Sequence, residues 1–320
     1  MMQGARCKKQ GARCEEQGVG LPDVSAVLVL AHLAAQPPAA TAVLPWHVNP
    51  SATSSHAQSA AAPTASPPPR TALLFTTADP PSSATLAPPA HESAPPAKLI
   101  QSLQYGADLV LAEKNYDQAF ALSLQYSKKF GGMNRNTAYN PMTIEGKKTV
   151  SIEIFNQLDR VPDHVFVSVG DGVILSGLYK GFRDLLQLKQ IPKMPEIHAI
   201  QASGSSAIFR AMSSGEFQEQ PAETVADSIS VNTPSNGYLA LKNLKAYSGH
   251  CITLTDDEIL SAQKELSSNC GLFSEPAAAA AYAGFLKQKK YLDSNSTCVV
   301  LLTGNGLKAA TKVELVRETG

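Results

Sequence analysis

Residues 165–186 read VFVSVGDGVILSGLYKGFRDLL. Apolar, mostly β-branched residues (Val165, Phe166, Val167, Val169) stop at Gly170-Asp171-Gly172. Apolar residues then recur at helical spacing: Ile174, Leu175, Leu178, Phe182, Leu185 and Leu186. The pattern predicts a strand, a glycine turn and a helix in immediate succession. Such a corner can cradle a phosphate. Glycine lets main-chain N–H groups approach an oxygen closely, and the helix N-terminus adds free donors and a partial positive charge. Asp171 works against this, since a carboxylate aimed at a phosphate repels it; its side chain has to face outward or cap the helix. Neither GxxxxGK[ST] nor GxGxxG is present, so no nucleotide fingerprint applies. Taken alone, a glycine-bearing strand-to-helix corner is also an ordinary turn.

Outward from this corner the pattern repeats. LIQSLQYGADLVLAE reads as a helix end, a Gly106 cap and a strand at Leu109–Leu111. YDQAFALSLQYSKKF reads as a helix closing on Gly131-Gly132, and GKKTVSIEIFNQL as a helix stopping before Pro162. A strand is expected at Ile197–Ala202, a helix around Ala207–Met212 and a strand in HCITL. Thr255 with Glu258 three residues later forms a capping box for DDEILSAQKEL. Pro276 suits the first turn of PAAAAAYAGFLKQKK, whose basic residues fall in its last turn. CVVLLTG is a buried strand running into Gly304-Asn305-Gly306. Strands alternating with helices imply an α/β fold with a mainly parallel sheet covered on both faces. Ligands gather beyond the carboxyl ends of such strands, where both glycine turns lie.

The 320-residue chain is long enough for one large or two ordinary domains. Lys plus Arg and Asp plus Glu number 27 each, and this neutral balance without a basic cluster argues against nucleic-acid binding. The five cysteines form no CxxC pair, the histidines are scattered, and no metal ligands are assigned. Free thiols in a reducing compartment follow. No GxSxG elbow occurs; Ser203, Ser205 and Ser206 read as loop or cap residues, and Tyr282 and Phe285 as core contacts.

Composition changes near residue 97. Residues 1–97 are rich in Ala, Pro and Ser and poor in charge between Asp23 and Lys98, so disorder is expected there. They include a short tandem repeat, QGARCKK then QGARCEE, too brief for a repeat architecture. The run VSAVLVLAHLAA is too short to span a bilayer, so no membrane partner is expected. Asp23 before it argues against a secretory signal. A cytoplasmic location is expected, with a plastid as the alternative if the segment is a transit peptide; a mistranslated or spliced-in segment explains the composition equally well.

NPMTIEGKKTVSIEI, DHVFVSVGDGVILSGLYKGF, IHAIQASG, ADSISVNTPSN, EPAAAAAYAGFLK and VVLLTGNGLK come in an order that resembles threonine synthase and its relatives among the fold-type II pyridoxal-phosphate enzymes. The resemblance covers roughly residues 95–320 and includes KLIQSLQYGA. It implies a three-layer, mainly parallel sheet, related to the tryptophan synthase β fold, with a truncated small domain. Residues 98–135 are then the small-domain remnant and 136–320 the large domain. It also implies pyridoxal 5′-phosphate as cofactor, with its phosphate held at Gly170, Asp171, Gly172, Val173 and Ile174. Asn-Ala-Gly-Asn is the family's usual continuation, so Asp-Gly-Val-Ile is a departure that spares backbone donors but not side-chain ones. Thr303 matches the family's hydroxyl residue near the pyridine nitrogen.

The implied activity is a carbon–oxygen lyase in threonine biosynthesis, converting O-phosphohomoserine to threonine and phosphate. A serine/threonine dehydratase, a cysteate-synthase-like enzyme and a non-catalytic remnant of the fold are the alternatives. The expected partner is a small-molecule amino-acid substrate, and a homodimer is the candidate assembly. One part of the family's pattern is missing. Its Schiff-base lysine lies upstream of KLIQSLQYGA in a segment resembling FKDRG, followed by a Ser/Thr-Gly-Asn loop, yet no lysine occurs between Lys9 and Lys98. Lys180 and Lys308 read as surface or loop lysines. No catalytic residue is therefore assigned, and impaired activity is expected.

Overall fold

The computed structural model describes residues 26–31, 85–86, 99–100, 110–113 and 116–309. Seven strands are present among them: β1 (Ala26–Ala31), β2 (Thr85–Leu86), β3 (Met133–Asn134), β4 (His164–Ser168), β5 (Glu196–Ala202), β6 (His250–Leu254) and β7 (Thr297–Leu302). Five of these form one sheet in the order β1-β7-β4-β5-β6, and each neighbouring pair is parallel. The short strands β2 and β3 pair separately, also in parallel.

The helices are α1 (Tyr116–Phe130), α2 (Met142–Lys147), α3 (Thr149–Leu158), α4 (Val173–Gln187), α5 (Ala207–Ser214), α6 (Gly237–Ala246), α7 (Asp256–Cys270) and α8 (Pro276–Gln288), and those from α3 onward cover both faces of the large sheet. Alternation along each strand divides the core. Val165, Val167, Ile197, Ala199, Val299 and Leu301 pack with α3, α4 and α6. Phe166, Ile200, Ala202, Val300 and Leu302 pack with α7 and α8. Every residue of β7 is buried, as are the last four of β4, as expected for central parallel strands. At roughly 1.5–3 kcal/mol for each fully buried aliphatic side chain, these strands supply much of the folding free energy.

The helix ends follow their local chemistry. α7 carries the full capping box, with Thr255 accepting from the Glu258 N–H and Glu258 accepting from the Thr255 N–H. α8 begins at Pro276 and buries Ala277 to Ala281, which lets its backbone lie close on the sheet. At Gly284 even a Cβ would come within 2.4 Å of the Ile200 side chain. α1 and α3 fall where the periodicity puts them. Gly131 (φ 77°) follows α1, and Asp159 ends α3 in the left-handed region. Tyr282 and Phe285 are core residues.

Within residues 1–97 the described strands are β1 and β2. AVLVLA is a strand-forming run that pairs with an edge of β7, with Ala26 beside Thr297 and Ala31 beside Leu302. The remaining residues of 1–97 lie outside the described ones, as do Gly106 and Leu109. The strand expected at Leu109–Leu111 is not found at Val110 and Leu111, which are irregular and exposed; only Ala112 is bridged and buried. Among the described residues, no helix is long and apolar enough to cross a membrane.

Candidate functional site

β4 and β7 are adjacent, with Val167 beside Leu301, so their carboxyl ends open side by side. Gly170-Asp171-Gly172 follows β4, and Thr303 and Gly304 follow β7. The chain leaves β4 through α4, on one face of the sheet, toward β5. It reaches β7 through α8 on the other face. Beyond the carboxyl ends of such neighbouring parallel strands is where open α/β sheets bind ligands.

The corner itself is tight. Gly172 is the N-cap of α4 at φ 86°, a left-handed conformation that L side chains resist. A Cβ there would lie 2.8 Å from the Ala240 Cβ and 3.2 Å from the Asn236 carbonyl oxygen. No side chain caps α4. Among the described residues, no acceptor takes the N–H of Gly172, Val173, Ile174 or Leu175; the first α4 amide with one is Ser176, which donates to the Gly172 carbonyl. Four successive free donors at a 15-residue helix N-terminus fit a phosphate, which accepts several hydrogen bonds at once.

Asp171 does not intrude on those donors. Its carboxylate accepts from the Tyr116 O–H at 2.7 Å and from the Ser235 N–H at 3.1 Å. It thus turns toward α1 and the loop before α6, leaving the helix end uncapped. Burial raises its carboxyl pKa, while the bonds from Tyr116 and Ser235 pull the other way. Burial, and then the neighbouring Asp171 charge, push the Tyr116 hydroxyl well above its usual range.

A loop with no periodic signal in its sequence closes the corner. In ADSISVNTPSN, Asp227–Ile229 is a 3-10 turn, and a Cβ on Gly170 would lie 2.9 Å from the Ile229 Cα. The Asn236 amide donates to the Gly172 carbonyl at 3.1 Å and to the Ser176 hydroxyl at 2.7 Å. The same 3-10 turn reaches the second glycine turn, because the Ser228 hydroxyl donates to the buried Glu275 carboxylate at 3.1 Å. Glu275 in turn fills the space where a Gly304 Cβ would stand. Ser228, Ser235, Asn236 and Glu275 were not singled out from the sequence. The signals available were the Asn-Thr-Pro-Ser-Asn run, which marks a turn, and an acid before a helix-starting proline.

The six assigned positions, Gly170 to Ile174 and Thr303, therefore fall beyond the carboxyl ends of two adjacent strands. No described lysine side chain joins them. Lys180 lies in an ion cluster on α4, 3.0 Å from Asp184 and 3.3 Å from Glu145, which Lys148 also joins. The Lys308 side chain is outside the described residues.

The profile of the family described as "Pyridoxal-phosphate dependent enzyme" matches residues 85–304. The chain belongs to this family. The family depends on pyridoxal phosphate, and the three-layer parallel architecture is that of fold-type II. The threonine synthase of Methanosarcina acetivorans is 36% identical over 219 residues, which are 66% of this chain and 53% of that protein. The threonine synthase of Synechocystis sp. is 35% identical over 211 residues, 66% of this chain and 54% of that protein. The chain thus spans about half the length of the curated relatives it matches. Among solved structures, a T.th. threonine deaminase shares the fold at a TM-score of 0.57 and 21% identity, covering 66% of this chain and 67% of that one. Serine racemase from Dictyostelium discoideum does so at 0.57 and 24%, covering 70% and 68%.

Proposed function

We propose that this chain binds pyridoxal 5′-phosphate at the β4–α4 corner and belongs to a lyase of threonine-synthase type acting on O-phosphohomoserine. The free N–H groups of Gly172 to Leu175, beside Thr303 at the mouth of the sheet, carry this reading. Gly170 and Asp171 shape the turn, Val173 and Ile174 supply main-chain donors, and Thr303 would hold the ring of the cofactor through a neutral hydroxyl. The bound cofactor withdraws electrons from the substrate's α carbon, the chemistry that phosphate elimination requires. Asn236 and Ser235 hold the corner shut on its α6 side. Identity of 35–36% to threonine synthases, against 21–24% to the deaminase and racemase folds, supports phosphohomoserine over serine or threonine as substrate. The thiols of Cys251 and Cys298 support a reducing compartment, the cytoplasm in the first instance.

A Schiff-base amine is the component not found at this corner among the described residues, so turnover is expected to be impaired while phosphate recognition persists. Titrating the full chain with pyridoxal phosphate should give saturable binding that inorganic phosphate displaces. Borohydride treatment followed by peptide mass spectrometry should find no lysine adduct, and threonine should form from O-phosphohomoserine slowly or not at all. A lysine adduct would name the missing amine and restore full activity to the reading. No saturable, phosphate-sensitive binding would overturn it.

A further inference from the structure

At the amino end of the sheet, opposite the glycine corner, the strands gather four residues that the cofactor reading does not use. His164 opens β4, Glu196 opens β5, His250 opens β6, and His198 stands two residues into β5. The parallel register puts His164 beside Glu196 and His198 beside His250. His164 Nδ1 lies 3.2 Å from His198 Nε2 and 3.5 Å from Glu196 Oε2. One donor atom from each of these three residues falls within 4.8 Å of the others. His250 Nε2 approaches the same Glu196 oxygen at 3.5 Å.

Packing has fixed the central ring. His198 is only 4% exposed. It stacks on Phe166 at 4.3 Å between centroids and 6° between planes, and on His250 at 5.0 Å and 23°. Its Nδ1 is buried without a partner, so the ring's polar contact is made through Nε2, the atom that faces the cluster.

The spacing is close to what a shared ion requires. A separation of 3.5 Å between nitrogen and oxygen is at the limit of a hydrogen bond. Tetrahedral zinc, with ligand bonds of about 2.0–2.2 Å, sets its ligand atoms roughly 3.3–3.5 Å apart. The His164–His198 and His164–Glu196 edges, 3.2 and 3.5 Å, bracket that range; the third edge lies within 4.8 Å, so the half-exposed Glu196 side chain has to swing inward to complete the set. Two neutral imidazoles and one carboxylate match the ligand type and charge that a borderline-soft dication prefers.

We propose that His164, Glu196 and His198 form a site for a divalent transition-metal ion of the zinc class. Water takes the fourth position on the solvent side, and His250 steadies the Glu196 carboxylate from β6. Such an ion ties β4 to β5 at the end of the sheet remote from the glycine corner, so its role is structural. It stabilises the folded chain in proportion to its occupancy. The sequence hides the set because its members come from two strands separated by a helix and are joined only by register.

The test uses the full chain stripped with chelator, without pyridoxal phosphate, so its outcome is separate from that of the cofactor reading. Calorimetric titration with zinc should show a site at one ion per chain, and zinc should raise the thermal midpoint. Cobalt(II) should give intense visible bands of tetrahedral coordination without the near-ultraviolet band of thiolate ligation. Glu196→Gln and His164→Gln alter side chains at the amino end of the sheet and should keep the fold while abolishing the zinc-dependent midpoint shift. Their zinc affinity should fall by at least the roughly 10–100-fold that loss of a mere ligand-orienting partner costs. His250→Gln should weaken binding less. Substoichiometric zinc, a thiolate band with cobalt, or unchanged affinity in Glu196→Gln and His164→Gln would each refute the site.

Discussion

Asp171 is the residue at which the candidate cofactor corner conflicts with its own ligand. A negative charge beside an anion site weakens binding, and here it is tolerated because Tyr116 and the Ser235 N–H hold the carboxylate to one side. Burial raises its pKa in the folded state, as it does for Asp117, where the Asp171 charge adds to the effect. A raised carboxyl pKa means that the folded chain holds the proton more tightly than the unfolded one. The resulting stability is complete below the ordinary aspartate pKa and is lost as pH rises through the folded value. Asp171→Asn keeps an oxygen for Ser235 and removes the charge. Urea unfolding at a series of pH values should show a flatter decline just above the ordinary carboxylate range. Pyridoxal phosphate and inorganic phosphate should both bind this variant more tightly; equal affinity would mean that the phosphate sits elsewhere.

Among the elements, α7 and α6 show why some helices are legible and others are not. α7 announces itself through the Thr255–Glu258 box, whose bonds measure 3.2 and 2.8 Å. The same Glu258 accepts from Lys287 of α8 at 3.0 Å, so the cap also joins two packed helices. Thr255→Ala should cost about 1 kcal/mol, seen as a lower urea midpoint at unchanged slope. α6 carries no such signal. Its N-cap residue, Asn236, makes no cap bond and instead spends its amide on Gly172 and Ser176 of α4. A residue committed to a tertiary contact leaves no local signature at its own helix.

For the whole molecule, the decisive feature is the edge of the sheet. β7 is buried along its full length, yet only one of its two edges is covered by β4; the other is covered by β1, from far upstream. An uncovered strand of this apolarity presents a row of unpaired amides and carbonyls, a template for association. A variant lacking residues 1–31 should therefore form larger species by size-exclusion chromatography at concentrations where the full chain does not. A deletion that leaves the elution profile unchanged would mean that the β1–β7 pairing contributes little. The two ends of the same sheet present different groups, main-chain donors at the carboxyl ends and imidazole and carboxylate lone pairs at the amino ends.

Local regularities were readable without a fold: the strand–glycine–helix unit at 165–186, the capping box, the proline start of α8 and the alternation implying a parallel sheet. These follow from near neighbours, and the repeating geometry of the backbone turns them into pattern. What only the tertiary structure decided is which distant residues meet. It set Thr303 beside the glycine corner, laid Ser235 and Asn236 across it, gave AVLVLA an edge to pair with, and gathered His164, Glu196 and His198 from two strands. Those meetings depend on strand order and register, which are set by packing the whole core at once and leave no mark at any single position.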